Sequence, residues 1–261
     1  MQHNFWTISN SRIESLEDTM HEIDDLLHGI KSRRESSRYS VALARDLGLL
    51  CTEYDSLMIT PAGKKILEGG NVAKVQLRHQ LLRYQLPHPS QERQTHDSFE
   101  IFPFRFMLKL LLNPKIRYLL SGEMALFVIN TKKNSELSKV EHHINTYRAK
   151  RRTDFAPLGW RTELIESSKS LRDKLRSRHN MESHWSYISS RGLLFMHHLE
   201  IFEGIIFENS REFGGPEKQI SIKADNVAEL KKSIFKYDRS FPAIHGDDAE
   251  AFIESYGQAC G

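Results

Sequence analysis

Residues 37–63 read SRYSVALARDLGLLCTEYDSLMITPAG, and the fold is decided in this stretch. Val41, Leu43, Ala44 and Leu47 recur at intervals that give a helix from about Ser37 to Leu47 an apolar side. Gly48 stops that helix, because glycine takes the left-handed conformation past a C-cap without steric cost. From Leu49 to Thr60 apolar and polar residues alternate around Glu53-Tyr54-Asp55-Ser56, the pattern of a short β-hairpin. Thr60 can cap the next helix, and Pro61 suits its first position, where a missing N–H is no loss. Upstream, Asn10–Gly29 carries Ile13, Leu16, Met20, Ile23, Leu26 and Leu27 on one helical face, and a polar, basic stretch from Lys31 to Ser37 follows. Helix, helix, hairpin, helix is the order of a winged helix.

The same order returns downstream. Pro87–Ser98 is polar, contains two prolines and reads as a linker or exposed loop. Phe99–Leu112 is apolar and helical; Ser121 is positioned to cap a helix running to Ile129; Ser135–Arg152 and Thr162–Arg178 are further helices. A long helix from about Glu182 to Phe202 ends at Gly204. Ile205–Glu208 and Lys218–Lys223 read as strands joined through Gly214-Gly215-Pro216, and Asp225 is placed to cap a last helix, Val227–Phe235. The expected fold is mainly α with short β-hairpins (α+β), in two winged-helix subdomains. The first, with its linker, spans residues 1–98; the second, with a helical insert, spans 99–240; an acidic segment covers 241–261.

With 261 residues, 39% of them hydrophobic, the chain can bury ordinary cores, and its net charge of +3 names no partner. The distribution of charge says more. Lys139, Arg148, Lys150, Arg151, Arg152, Arg161, Lys169, Arg172, Lys174, Arg176 and Arg178 face only Glu141, Asp154, Glu163, Glu166 and Asp173. From Asp247 onward there are acids and no Lys or Arg. A basic middle suits a polyanion, although a solvated charged face has the same composition. Cys51 and Cys260 stand far apart without metal-ligand spacing, which suits a reducing cytoplasm. The sequence has neither a leader pattern nor an apolar run of the roughly 20 residues that a membrane span needs, so a soluble, cytoplasmic protein with no membrane partner is expected.

A helix entering the major groove reads base edges with its polar N-terminal half. In the first unit those residues are Ser36, Ser37, Arg38, Ser40 and Arg45; Arg38 is the foremost candidate, because its fork matches both acceptors of a guanine. In the second they are His179, Asn180, Ser183, His184, Tyr187 and Arg191. Lys31, Arg33, Arg34, Arg148, Lys150, Arg151, Arg152 and Arg178 are the candidates for phosphate contacts, which set register without reading sequence.

Catalytic patterns are missing. His142-His143 and His197-His198 are adjacent pairs, and neighbours on a helix point in different directions, so neither makes a two-imidazole metal site. No nucleophile elbow or phosphate loop is found. Asp225 with Glu229-Leu230-Lys231 falls in a helix, whereas a metal-dependent nuclease needs carboxylates and a lysine on strands. The expectation is no catalytic residue, no metal ligand and no cofactor in this chain.

Several segments, in order, resemble the recognition portion of AlwI-like type IIS restriction and nicking endonucleases. They are Phe5-Trp6 through Arg12; Ser37-Arg38-Tyr39-Ser40 with Leu47-Gly48-Leu49; and Leu57-Met58-Ile59-Thr60-Pro61-Ala62-Gly63-Lys64. Leu81–Pro87, Phe102-Pro103-Phe104, Leu119–Phe127, Ile144–Arg148 and Phe202–Ile206 continue the series over nearly the whole chain. The resemblance implies a two-subdomain, winged-helix module of a prokaryotic cell that recognises a short asymmetric site in double-stranded DNA as a monomer. It also implies a DNA contact at Arg12. Cleavage in that family belongs to a separate PD-(D/E)XK nuclease domain that uses Mg2+. Since the sequence stops at Gly261, that domain is expected on another polypeptide or in a longer parent. Two other readings stand beside this one: a free-standing winged-helix transcription regulator, and a complete Mg-dependent nuclease with an unrecognised site.

Overall fold

A computed structural model describes residues 41, 43–53, 56–87, 99–153, 191–210, 217–244 and 255–259. Among these the chain forms two compact units. One draws on the chain up to Phe104 and again from Ser233 onward, and the other on Arg105–Lys232. The division differs from the expected one in two respects. The break falls at Phe104 rather than Ser98, and the last part of the chain returns to the first unit instead of standing apart as a 241–261 segment.

In the first unit the end of the opening helix leads into β1 (Leu50–Glu53) and β2 (Ser56–Ile59), an antiparallel pair in the register Leu50↔Ile59 to Glu53↔Ser56. Helix α1 (Pro61–Leu67) follows with Thr60 as its N-cap, the hydroxyl accepting from Gly63 N at 3.1 Å. Helix α2 (Gly70–Arg83) lays Leu77, Leu81 and Leu82 against the core that also holds Leu43, Ala44, Leu47 and Leu49. Past α2, Leu86 and Ile101 exchange two backbone hydrogen bonds at 2.8 and 3.0 Å, which pins together the two ends of the expected 87–98 linker. The linker itself lies outside the described residues.

The second unit takes most of helix α3 (Pro103–Leu112), whose Phe106, Met107, Leu108, Leu110 and Leu111 are all buried. Strand β3 (Tyr118–Leu120) pairs with β5 (Glu217–Ile222), which pairs with β4 (Ile205–Ser210), giving an antiparallel sheet in the order β3-β5-β4. The β4–β5 hairpin is where its alternation placed it. The third strand was not expected. Where the sequence suggested one helix from Ser121 to Ile129, a single turn (Ser121–Glu123) widens into a π-helix (Met124–Val128), every residue of which is buried. Ser121 does not cap it. The Glu123 carboxylate accepts from Leu120 N at 3.0 Å, while Ser121 Oγ faces Lys218 N at 3.4 Å. Helix α4 (Leu137–Thr153) matches the expectation closely. Residues 191–198 are helical and close through a short 3-10 turn, Leu199–Ile201, before Gly204 at φ +80°. Helix α5 (Val227–Ser240) is entered through a 3-10 turn, Ala224–Asn226, that contains Asp225, and it runs past the expected end at Phe235. The fold is α+β, mainly helical with small antiparallel sheets.

Candidate nucleic-acid interface

Ser36, Ser37, Arg38 and Ser40 lie outside the described residues; the described helical residues 41 and 43–46 lead into a well-defined helix end at Gly48. Gly48, at φ +65°, donates to Arg45 O (2.9 Å) and Leu49 N donates to Ala44 O (2.8 Å), the paired bonds that close a helix around a left-handed glycine. The remaining carbonyls are met from elsewhere. Gln80 Nε2 donates to Leu47 O at 2.7 Å, and the Thr60 hydroxyl donates to Gly48 O at 2.7 Å. The described end of this helix is therefore fixed to α2 and to the start of α1.

The anchoring uses a polar face of α2 that the sequence reading passed over. Gln76, His79, Gln80 and Arg83 recur at helical spacing, and all four are buried. They bind the returning end of the chain. Gln80 Nε2 also donates to Tyr256 O (2.7 Å), the Tyr256 hydroxyl donates to Gln80 O (2.7 Å), and Gln76 Nε2 donates to Gln258 O (3.4 Å). Arg83 donates to Ser255 O and lies over the rings of Phe241 (4.8 Å) and Tyr256 (4.9 Å). A stripe of polar residues on a helix usually marks its solvent side, so only the tail that covers it reveals the burial.

His79 sits in this polar layer, with Nδ1 2.6 Å from the Tyr237 hydroxyl. Burial first, then the positive charges of Arg83 and Lys236, lower its pKa from 6.5 to about 4. The folded protein therefore holds His79 neutral while the unfolded chain binds a proton near pH 6.5, so the stability linked to this group is present above pH 6.5. That stability is expected to fall as pH drops from 6.5 toward 4, and urea titrations across that range measure it. His79→Gln, which keeps a polar group but cannot titrate, should flatten the dependence; an unchanged slope would assign it to other groups.

In the second unit Arg148 does not face solvent as the phosphate contact expected of it. Its side chain is 8% exposed and pairs with a fully buried Glu123, Nε to Oε1 at 2.6 Å and Nη2 to Oε2 at 2.8 Å. The same guanidinium donates to Ile116 O (2.9 Å) and Tyr118 O (2.7 Å) and lies 3.9 Å from the centroid of the Tyr118 ring. Burial pushes the Glu123 carboxyl above its usual range, and Arg148 opposes that shift. Arg148 thus joins α4 to the base of β3, because a carboxylate enclosed in the core demands a cation beside it.

Other expected contacts fare differently. Lys150, Arg151 and Arg152 occupy the C-terminal end of α4, and their side chains are outside the described set. Arg191 is half-buried at the start of the described 191–198 helix. Arg12, Lys31, Arg33, Arg34, Arg178, His184 and Tyr187 lie outside the described residues. Beside Arg148, the turn from Asn113 to Arg117 and one face of α4 enclose a recess of about 300 Å3 that contains Lys115, Arg117 and Asn145.

The histidine pairs have ordinary packing roles. His197 Nδ1 is 2.6 Å from Glu200 and its ring lies 4.4 Å from that of Phe207, while His198 is wholly buried and its pKa falls to about 3. Among the described residues no group of three or more His, Cys, Asp or Glu is arranged to hold a metal ion. Nor, among them, is any helix long and apolar enough to cross a membrane.

The described residues form two α+β units, each carrying a β-hairpin. The fold is similar to a crystal structure of the BpuJ1 endonuclease binding domain in complex with pyrene- and phenanthrene-modified DNA. The TM-score is 0.55 at 14% sequence identity, over 94% of this chain and 84% of that one. The model of the AlwI restriction endonuclease family matches residues 45–188, more than half of the sequence, and the chain belongs to that family. A comparison with curated proteins returned no match.

Proposed function

We propose that this chain is the DNA-recognition part of a type IIS-like restriction endonuclease, reading a short asymmetric site in duplex DNA through two winged-helix units. The observation that carries this reading is the likeness of fold, over nearly the whole chain, to an endonuclease binding domain whose structure contains DNA. Family membership adds the restriction context. On this reading the helix ending at Gly48 enters the major groove, the hairpins β1–β2 and β4–β5 act as wings, and Lys150, Arg151 and Arg152 meet phosphates. Cleavage is carried by a Mg-dependent nuclease domain or subunit working with this one.

Selection of random duplexes on the purified chain tests the proposal. Enrichment of one non-palindromic sequence, bound by a monomer, is expected. A palindrome bound by a dimer would favour a transcription regulator instead. Magnesium-dependent cutting by the chain alone would show that it contains its own nuclease. Arg38→Ala is expected to cost about 1–3 kcal/mol on the selected site and much less on random DNA, as for loss of a bidentate base contact. An equal loss on both would reassign Arg38 to the backbone.

A further inference from the structure

We infer that the recess between the Asn113–Arg117 turn and α4 is a seat for one DNA phosphodiester, with Arg117 as its main ligand; this rests on the DNA-binding reading above. The recess, about 300 Å3, is lined by Lys115, Arg117, Tyr118, Asn145, Arg148 and Ala149, with no carboxylate among its lining residues. Two of its three cations are already neutralised. Lys115 Nζ is 3.1 Å from Glu141, and Arg148 is committed to Glu123 and two backbone carbonyls. Arg117 is exposed, and no carboxylate among the described residues pairs with it. Its Nε donates to Pro114 O at 3.0 Å, which orients the guanidinium and leaves both Nη groups available. Asn145 adds an amide on the opposite wall, and Ala149 keeps the opening clear of a long side chain.

The backbone strengthens the case. Arg117 has φ +63°, a left-handed conformation that a bulky residue adopts at a cost and glycine adopts freely. An arginine held there, on a turn braced by Asn113 (its O accepting from Ile116 N and Arg117 N, its Nδ2 donating to Glu141 at 2.8 Å), points to a use for the side chain rather than for the fold. Position 152 follows 148 by one turn on the same helix, so a strand seated here would run on toward the basic end of α4.

Arg117→Gly isolates the effect, since glycine suits this φ and the fold should be at least as stable as wild type. Binding of a fluorescent duplex is measured against KCl concentration for wild type and variant, alongside thermal unfolding. The variant should melt no lower than wild type yet bind all sequences roughly tenfold more weakly at 0.1 M salt. The slope of log K against log salt should be shallower by about 0.9, the counterions released by one phosphate. An unchanged slope and affinity, with wild type binding normally, would overturn the phosphate seat and leave the DNA-binding reading standing. Failure of wild type to bind any duplex would overturn both.

Discussion

Arg148→Met is expected to lower the unfolding free energy by about 3–5 kcal/mol, the usual cost of removing one partner from a buried ion pair. The methionine would fill much of the vacated volume, so the loss would come from electrostatics rather than from a cavity. Glu123 is fully buried and, among the described residues, would keep only Leu120 N as a hydrogen-bond donor. The carbonyls of Ile116 and Tyr118 would lose their donor in the same step. Urea denaturation measures the change. The pair Glu123→Met and Arg148→Met should recover part of the loss, since the double variant buries no lone charge. Recovery must remain incomplete, because the two carbonyls and Leu120 N would still lack their partners. A single variant as stable as wild type would mean that the pair is open to solvent.

Gly48→Ala has the second largest expected effect, about 2–5 kcal/mol, from two separate sources. A Cβ at φ +65° meets the left-handed penalty of roughly 1–2 kcal/mol. It would also stand 2.3 Å from Cδ1 of Tyr256, and overpacking a tight contact typically costs about 1–3 kcal/mol. The Tyr256 ring is held in place by its own hydroxyl bond to Gln80 O and by Arg83 above it, so it has little freedom to retreat. A double-mutant cycle separates the sources. In a Tyr256→Ala background the clash is gone, and Gly48→Ala should cost only the backbone part. Equal costs in both backgrounds would show that the ring yields.

Much of the first unit was legible from short stretches. The stop at Gly48, the hairpin over Leu49–Thr60 and the start at Thr60-Pro61 each depend on groups within a few residues of one another, and all are as expected. The β4–β5 hairpin and α4 were read for the same reason. The misses share a different character. Strand β3 has only three residues, too few for alternation to show, and it exists because β5 offers an open edge. Arg148 looked like one more cation in a basic stretch, and nothing nearby in sequence revealed Glu123, which lies 25 residues earlier. Asp225 looked like a cap until a 3-10 turn took its place at the helix entry.

Arg117 shows the same division at the candidate site. It is not singled out by the sequence; its left-handed backbone belongs to a turn closed on Asn113 O, and Asn145, which lines the same recess, comes from α4, 28 residues further on. What the chain determined alone was the class of fold, the helix stops, the hairpins and the family, since these rest on propensities and contacts close along the backbone. Tertiary structure alone decided which charged groups are enclosed and which remain for a ligand, and where the tail returns. Those outcomes depend on residues far apart in sequence, such as Gly48 and Tyr256 or Glu123 and Arg148. The cost of an unpaired buried polar group selects such partners, and that cost has no local signature.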